Sequence, residues 1–313
     1  MNANKTLTRF QSYTWGVLIY NLLVILWGVY VRATGSGAGC GSHWPTCNGE
    51  VIPRAPQAET IIEFVHRLTS GVAFLLVLVL LVWAFRIYPK GHRVRKAAGF
   101  SMAFIISESL VGAGLVLFGL VGDDASITRV VVMGIHLLNT HMLLAGLVLT
   151  AWWAAGKPPV KFKSQPASLK LWLGIAIVTM LVLSMAGAIT ALGDTLFPSE
   201  TLVEGFRQDL DPTSHFLIRL RFWHPVIAVA LGLYLVYLAG RLAKMLGGQD
   251  VKRFAIALGV LFGIQLVAGM VNLLLLAPVW MQIVHLLLAD LVWLALVLLT
   301  ASVLKDPAYN QVS

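Results

Sequence analysis

The chain has 313 residues, of which 58% are hydrophobic and 12% charged, with a mean hydropathy of +0.82 and a formal net charge of +9. So few polar side chains cannot cover the surface of a water-soluble globule of this length, which excludes a soluble enzyme and leaves an integral membrane protein. The basic excess gathers in alternate loops, so it is a topology signal and excludes nucleic acid as the partner.

A hydrocarbon core is crossed by about 20 apolar residues in helix, and runs of that kind cover 13–33, 61–86, 98–121, 129–154, 169–192, 216–240, 254–276 and 279–303. The expected fold class is an all-α membrane protein of eight transmembrane helices. The first run is too long for a cleaved leader and lacks a small-residue cleavage site. Lys5 and Arg9 precede it. Further basic residues follow the even-numbered runs: Arg86, Lys90, Arg93, Arg95 and Lys96; Lys157, Lys161, Lys163 and Lys170; Arg241, Lys244, Lys252 and Arg253; and Lys305. The other loops hold acids instead, Glu50, Glu59, Asp123, Asp124, Asp194, Glu200, Glu204, Asp209 and Asp211 among them. Lys and Arg in short loops stay inside. Both termini are therefore expected in the cytoplasm, and the chain in the cell membrane.

The loop after the first run reads TGSGAGCGSHWPTCNG, Thr34 to Gly49, and carries the only two cysteines, Cys40 and Cys47. On the outer, oxidising side this pair is expected to form a disulfide. Closing so short a loop stabilises the fold by about 2.5 kcal/mol on the chain-entropy model. Whether the bond is a staple or a redox element stays open. The glycines do not fit the G-x-G-x-x-G fingerprint, since no strand precedes them, so no nucleotide site is implied.

The two halves repeat each other. IHLLNTHMLLAGLVLTA from Ile135 matches VHLLLADLVWLALVLLTA from Val284, and FVHRL at Phe64 pairs with FWHPV at Phe222. ESLVGA at Glu108 pairs with QLVAGM at Gln265, and VRATGSG at Val31 with AITALGD at Ala188. Four helices per half predict two pseudo-symmetric four-helix bundles in parallel orientation, residues 1–156 and 157–313. His66, His136, His224 and His285 fall on the even-numbered helices, each on the order of 10 Å below the outer surface at about 1.5 Å per residue. One imidazole from each of two helices, with no acidic cage, suits the two axial positions of a haem better than zinc, once per half. His43 and His215 belong to outer loops, His92 to an inner loop, and His141 to another face of its helix.

One turn before the histidine the halves differ: EFVH at Glu63 against RFWH at Arg221. A carboxylate beside a haem edge can move protons or stabilise a cation, while an arginine suits a propionate. The first half is thus expected to react and the second to hold a redox cofactor, the alternative being that Glu63 only pairs with Arg67. Glu108 stands where the other half has Gln265 and serves either the reaction or nothing beyond its own protonated state.

On these residues the chain resembles the heme A synthase family. The similarity runs nearly end to end. It is carried by TGSGAGCGSHWPTCNG with its following Ile52 and Pro53, IIEFVHRLTSG from Ile61, IHLLNT from Ile135, LIRLRFWHP from Leu217 and QIVHLLLADLVW from Gln282. The resemblance implies that the C8 methyl of haem O is hydroxylated twice and dehydrates to the formyl group of haem A, with dioxygen and electrons required. By position, His66 and His136 would flank the substrate haem, with Glu63 essential to the oxidation, while His224 and His285 would hold a haem b. Arg67, Arg219 and Arg221 join them as cofactor-binding candidates. The cysteines match a pair in the outer loop of many bacterial members, where a role in electron or haem delivery has been considered. Expected partners are haem O, dioxygen or water, an electron donor such as a quinol, a haem O synthase and cytochrome oxidase assembly proteins, with a homo-oligomer open.

Two features depart from the family. No second cysteine pair lies between Asp194 and His215, and Glu108 takes the place of an expected glutamine. The alternatives are a di-haem b-type quinol electron-transfer cytochrome and a haem-carrying membrane protein.

Overall fold

A computed structural model of the chain describes residues 3–54 and 56–306. The Lys5 side chain and both chain ends, expected in the cytoplasm, lie outside the described residues. Helices run α1 Ala3–Ala33, α2 Ala58–Ile87, α3 Arg93–Leu117, α4 Ile127–Ala154, α5 Ala167–Leu196, α6 Leu202–Leu210, α7 Phe216–Arg221, α8 Trp223–Leu246, α9 Gln249–Leu274 and α10 Val279–Val303. Eight spans are long and apolar enough to cross a membrane, α7 and α8 forming one of them, Phe216–Leu246. Among the described residues there is no strand, only the isolated bridges Cys47–Glu50 and Val160–Lys305.

The expected spans are found, with three differences. α1 begins ten residues before position 13, because the polar stretch from Ala3 still satisfies its backbone within the helix. The sixth span is interrupted at Phe222. Pro225 is the cause: it has no N–H for the Arg221 carbonyl four residues back, and its ring crowds that carbonyl. The loop before it also contains α6, which hydropathy misses because this helix has only one apolar face. Val203, Phe206 and Leu210 on that face are exposed, and Thr201 caps its start by accepting from the Glu204 N–H at 3.2 Å.

Within residues 1–156 each helix packs on its sequence neighbour and α1 also meets α4; within 157–313, α5 meets α7 and α8, α8 meets α9, and α9 meets α10. The seam between them is formed by α1, α4, α5 and α10. α4 and α10 are the most buried of the eight spans. At mid-depth the Trp293 indole N–H donates to the His141 carbonyl at 2.8 Å, with the two rings edge-on at 5.1 Å. The fully buried His141 also pairs its Nε2 with Ser184 Oγ at 3.1 Å. At the disulfide-loop end, Arg32 of α1 donates to Ala191 O and Thr195 Oγ1 of α5 and to Gln282 Oε1 of α10, each at 2.7 Å. Lys157 and Asp250 join at 2.8 Å at the other end.

Candidate functional site

The four repeat histidines share a local arrangement. Each lies against a glycine of the preceding span, so that the imidazole approaches bare backbone. A Cβ built on Gly28 would fall 3.1 Å from His66 Cε1, on Gly112 3.7 Å from His136, on Gly187 3.0 Å from His224, and on Gly269 3.0 Å from His285. Sequence reading missed these glycines. The signal was available, since Gly112 lies four residues after Glu108 and Gly269 four after Gln265, in matching repeat positions.

The rings carry spare valence. The Nδ1 atoms of His66, His136, His224 and His285 are all buried without a hydrogen-bond partner. A buried nitrogen left unpaired costs about 1–3 kcal/mol, a cost that ligation or a bound group's polar edge would remove. His224 and His285 have ring centres 6.4 Å apart with planes at 84°. Two imidazoles that each place a nitrogen about 2.0 Å from one shared metal have centres at close to this spacing. His66 is within electrostatic reach of His136. Among the described residues no group of three or more His, Cys, Asp or Glu could hold a bare metal ion. Paired imidazoles without a third protein donor would suit a haem, which brings four nitrogens of its own.

The surroundings of the rings differ between the halves. Glu63 is only 3% exposed, and both its oxygens are engaged. Oε1 accepts from Arg67 Nε at 3.1 Å and Nη2 at 2.5 Å, and Oε2 accepts from the Cys40 backbone N–H at 2.7 Å. Arg67 reaches on with Nη1 to the carbonyls of His43 and Thr46, at 2.5 and 2.6 Å. These two residues thus clasp the loop closed by the expected disulfide, Cys40–Cys47. Gly39 is required there: a Cβ on it would sit 2.5 Å from the Glu59 backbone, and its carbonyl accepts from Thr60 Oγ1 at 2.8 Å.

In the second half the polarity is reversed. Arg221, 8% exposed, meets Asp209 at 2.9 Å and Asp194 at 3.2 Å and donates to the Phe197 carbonyl at 3.2 Å. Burial pushes the Asp209 carboxyl up from its ordinary range, opposed by the attraction of Arg221. Arg219, grouped with these arginines from the sequence, points elsewhere and donates to Pro212 O at 3.2 Å on an exposed surface. Arg67 and Arg221 are thus each paired with carboxylates, and Arg219 is not.

Glu108 has more partners than the sequence indicated. Its carboxylate accepts from Asn139 Nδ2 at 2.6 Å and from the Thr140 hydroxyl, and Oε2 stands 3.5 Å from His136 Nδ1. Its repeat counterpart, Gln265, places Nε2 3.2 Å from His285 Nε2.

A family model described as cytochrome oxidase assembly protein, COX15-CtaA, matches residues 11–297. Proteins from two strains of Thermus thermophilus, each named protoheme IX farnesyltransferase, are 55% identical to the chain over 302 residues, 96% of this chain and 49% of theirs. The chain thus spans about half the length of these curated relatives. A heme A synthase of Exiguobacterium sibiricum is 29% identical over 235 residues, 75% of this chain and 74% of its own. One from Alkalihalophilus pseudofirmus is 39% identical over 142 residues, 45% of each.

Proposed function

The chain belongs to the COX15-CtaA family of cytochrome oxidase assembly proteins, and from that premise we propose that it is a haem A synthase, oxidising the C8 methyl of haem O to the formyl group of haem A. In this reading residues 1–156 bind the substrate haem between His66 and His136, and residues 157–313 hold a haem b between His224 and His285. The observation that carries it is the fourfold pairing of a histidine with a glycine, each ring left with an unpartnered buried Nδ1.

The bound haems supply iron, with dioxygen and electrons from a donor such as a quinol. The chain's own residues do the rest. The glycine contacts restrict how each imidazole can turn, so the ligating rings would be oriented in advance, with little ordering cost on binding. The apolar helices around it exclude water, which strengthens every charge left inside. Glu63 is the one carboxylate a turn from His66 at the mouth of the first slot. It accepts two hydrogen bonds from Arg67 and one from the Cys40 N–H, so its proton affinity is coupled to the position of the disulfide loop. Arg221, set between two carboxylates, offers a fixed cation over the second slot and no mobile proton. That asymmetry supports chemistry in the first half and electron storage in the second.

A second reading comes from the printed name of the Thermus relatives, transfer of a farnesyl group to protohaem. One experiment separates the readings. Purified chain is given haem O with dioxygen and a reductant, or protohaem with farnesyl diphosphate, and the extracted pigment is identified by mass. Haem A from the first mixture is the expected result. A farnesylated product from the second, without haem A from the first, would overturn the proposal, and haem b alone throughout would make the chain an electron-transfer cytochrome.

A further inference from the structure

The duplicated frame puts a different residue behind one histidine in each half. Glu108 lies on α3 one turn before Gly112, and both face His136 of α4. Gln265 lies on α9 one turn before Gly269, and both face His285 of α10. Backbone setting, glycine and imidazole are alike, and the side chain that addresses the ring is a carboxylate in one half and a carboxamide in the other.

Resting on the haem-binding reading above, we infer that Glu108 is a positioning residue for the first site: it accepts the His136 Nδ1–H, directs Nε2 to the iron and makes that ligand more electron-donating than its counterpart in the second half. The local chemistry supports each part. A carboxylate accepts and never donates. The ring nitrogen facing it therefore carries the proton, and the opposite nitrogen keeps its lone pair. Gln265 addresses the other ring nitrogen, its Nε2 lying 3.2 Å from His285 Nε2; a carboxamide can donate or accept, so it puts no acceptor behind His285 Nδ1, and its own Oε1 is buried without a partner. Glu108 is held for this task by Asn139 and Thr140, side chains of the same helix as His136, and Ser107 in turn donates to Asn139 Oδ1. The second half has Leu288 and Ala289 in the corresponding repeat positions, with no side-chain hydrogen bond to give. At 3.5 Å the Glu108–His136 contact is longer than a hydrogen bond, and a small turn of either side chain would close it.

Acceptors behind a ligating histidine raise its basicity and stabilise the oxidised metal. The haem of the first half should then have the lower midpoint potential, which suits activating dioxygen, and that of the second half the higher. The test is a redox titration with EPR on the full-length chain loaded with haem, comparing parent, E108Q, Q265E and S107A, the last removing a hydroxyl from the same network but no bond to Glu108. E108Q should raise the potential of the His66/His136 haem and shift its EPR signal while the other haem stays put. Q265E should lower the potential of the His224/His285 haem. S107A should move neither. Both potentials unmoved in E108Q and Q265E would overturn the inference and leave haem binding intact, as would a shift in S107A as large as in E108Q. If E108Q does not fold, an unmoved potential in Q265E alone overturns it. A parent chain that binds no haem in its first half sinks the functional reading itself.

Discussion

The Cys40 N–H donates to Glu63 Oε2 at 2.7 Å, so the carboxylate three residues before His66 is hydrogen-bonded to the backbone of a disulfide cysteine. A residue expected from its spacing to act in the oxidation, and a cysteine pair expected from its compartment to be oxidised, are one structural unit. Arg67 completes it by bonding to Glu63 and to two carbonyls inside the closed loop.

Glu63→Gln tests the acid without changing its outline. The amide keeps one acceptor oxygen, enough for Arg67 or for the Cys40 N–H but not for both, so one bond of the clasp is lost while Arg67 still holds the His43 and Thr46 carbonyls, and haem b should remain at its parental level. Haem A yield should fall by about 10²-fold or more, the usual worth of a positioned proton-transfer group. Pigment extraction and mass analysis of membranes give the answer, and a parental yield of haem A would remove Glu63 from the chemistry.

Removing both cysteines, Cys40→Ser with Cys47→Ser, should cost about 2–3 kcal/mol of local stability. Because Glu63 and Arg67 hold the loop independently, activity should fall modestly, with faster proteolysis between positions 40 and 54 as the accompanying sign. Activity near zero in a chain that still resists protease would instead assign the bond an electron- or thiol-exchange role.

His224→Ala and His285→Ala should each abolish one low-spin haem signal and leave the protein inserted, since the second half has a continuous apolar core through α5, α8, α9 and α10. His66→Ala and His136→Ala should spare that signal. Optical and EPR spectra of the four variants decide whether the ligands are paired within halves.

The glycines give a graded series. Gly28→Ala, Gly187→Ala and Gly269→Ala force a methyl to 3.0–3.1 Å from an imidazole, and displacing a packed ring costs about 1–3 kcal/mol. Gly112→Ala meets only an ordinary contact at 3.7 Å and gains up to about 1 kcal/mol of helix propensity. Haem content per chain should drop in the first three and hold in the fourth. Equal loss in all four would mean that the close approach has no special importance.

Much of this could be read from the chain before its structure. Hydropathy alone gives the spans, because a helix in lipid must be apolar on every outward face and long enough to cross. The cysteines and the matched histidines followed from compartment and repeat. What escaped was contact between different spans. Periodicity within α3 does not reveal that Glu108 meets Asn139 and Thr140, and nothing in RFWH shows that Arg221 collects Asp194 from α5 and Asp209 from α6. The break at Phe222 was legible from Pro225 but hidden by a hydropathy window that averages over it. α6 was hidden because its apolar face is a minority of its residues.

Arg32 carries a consequence for biogenesis. Its guanidinium belongs to α1, yet its three acceptors lie on α5 and α10, spans made after it. Until those spans arrive, the charge must be hydrated at the membrane surface or paid for within the lipid. The nascent first half therefore carries a cation whose partners are incomplete until α10 has been made and docks against α1.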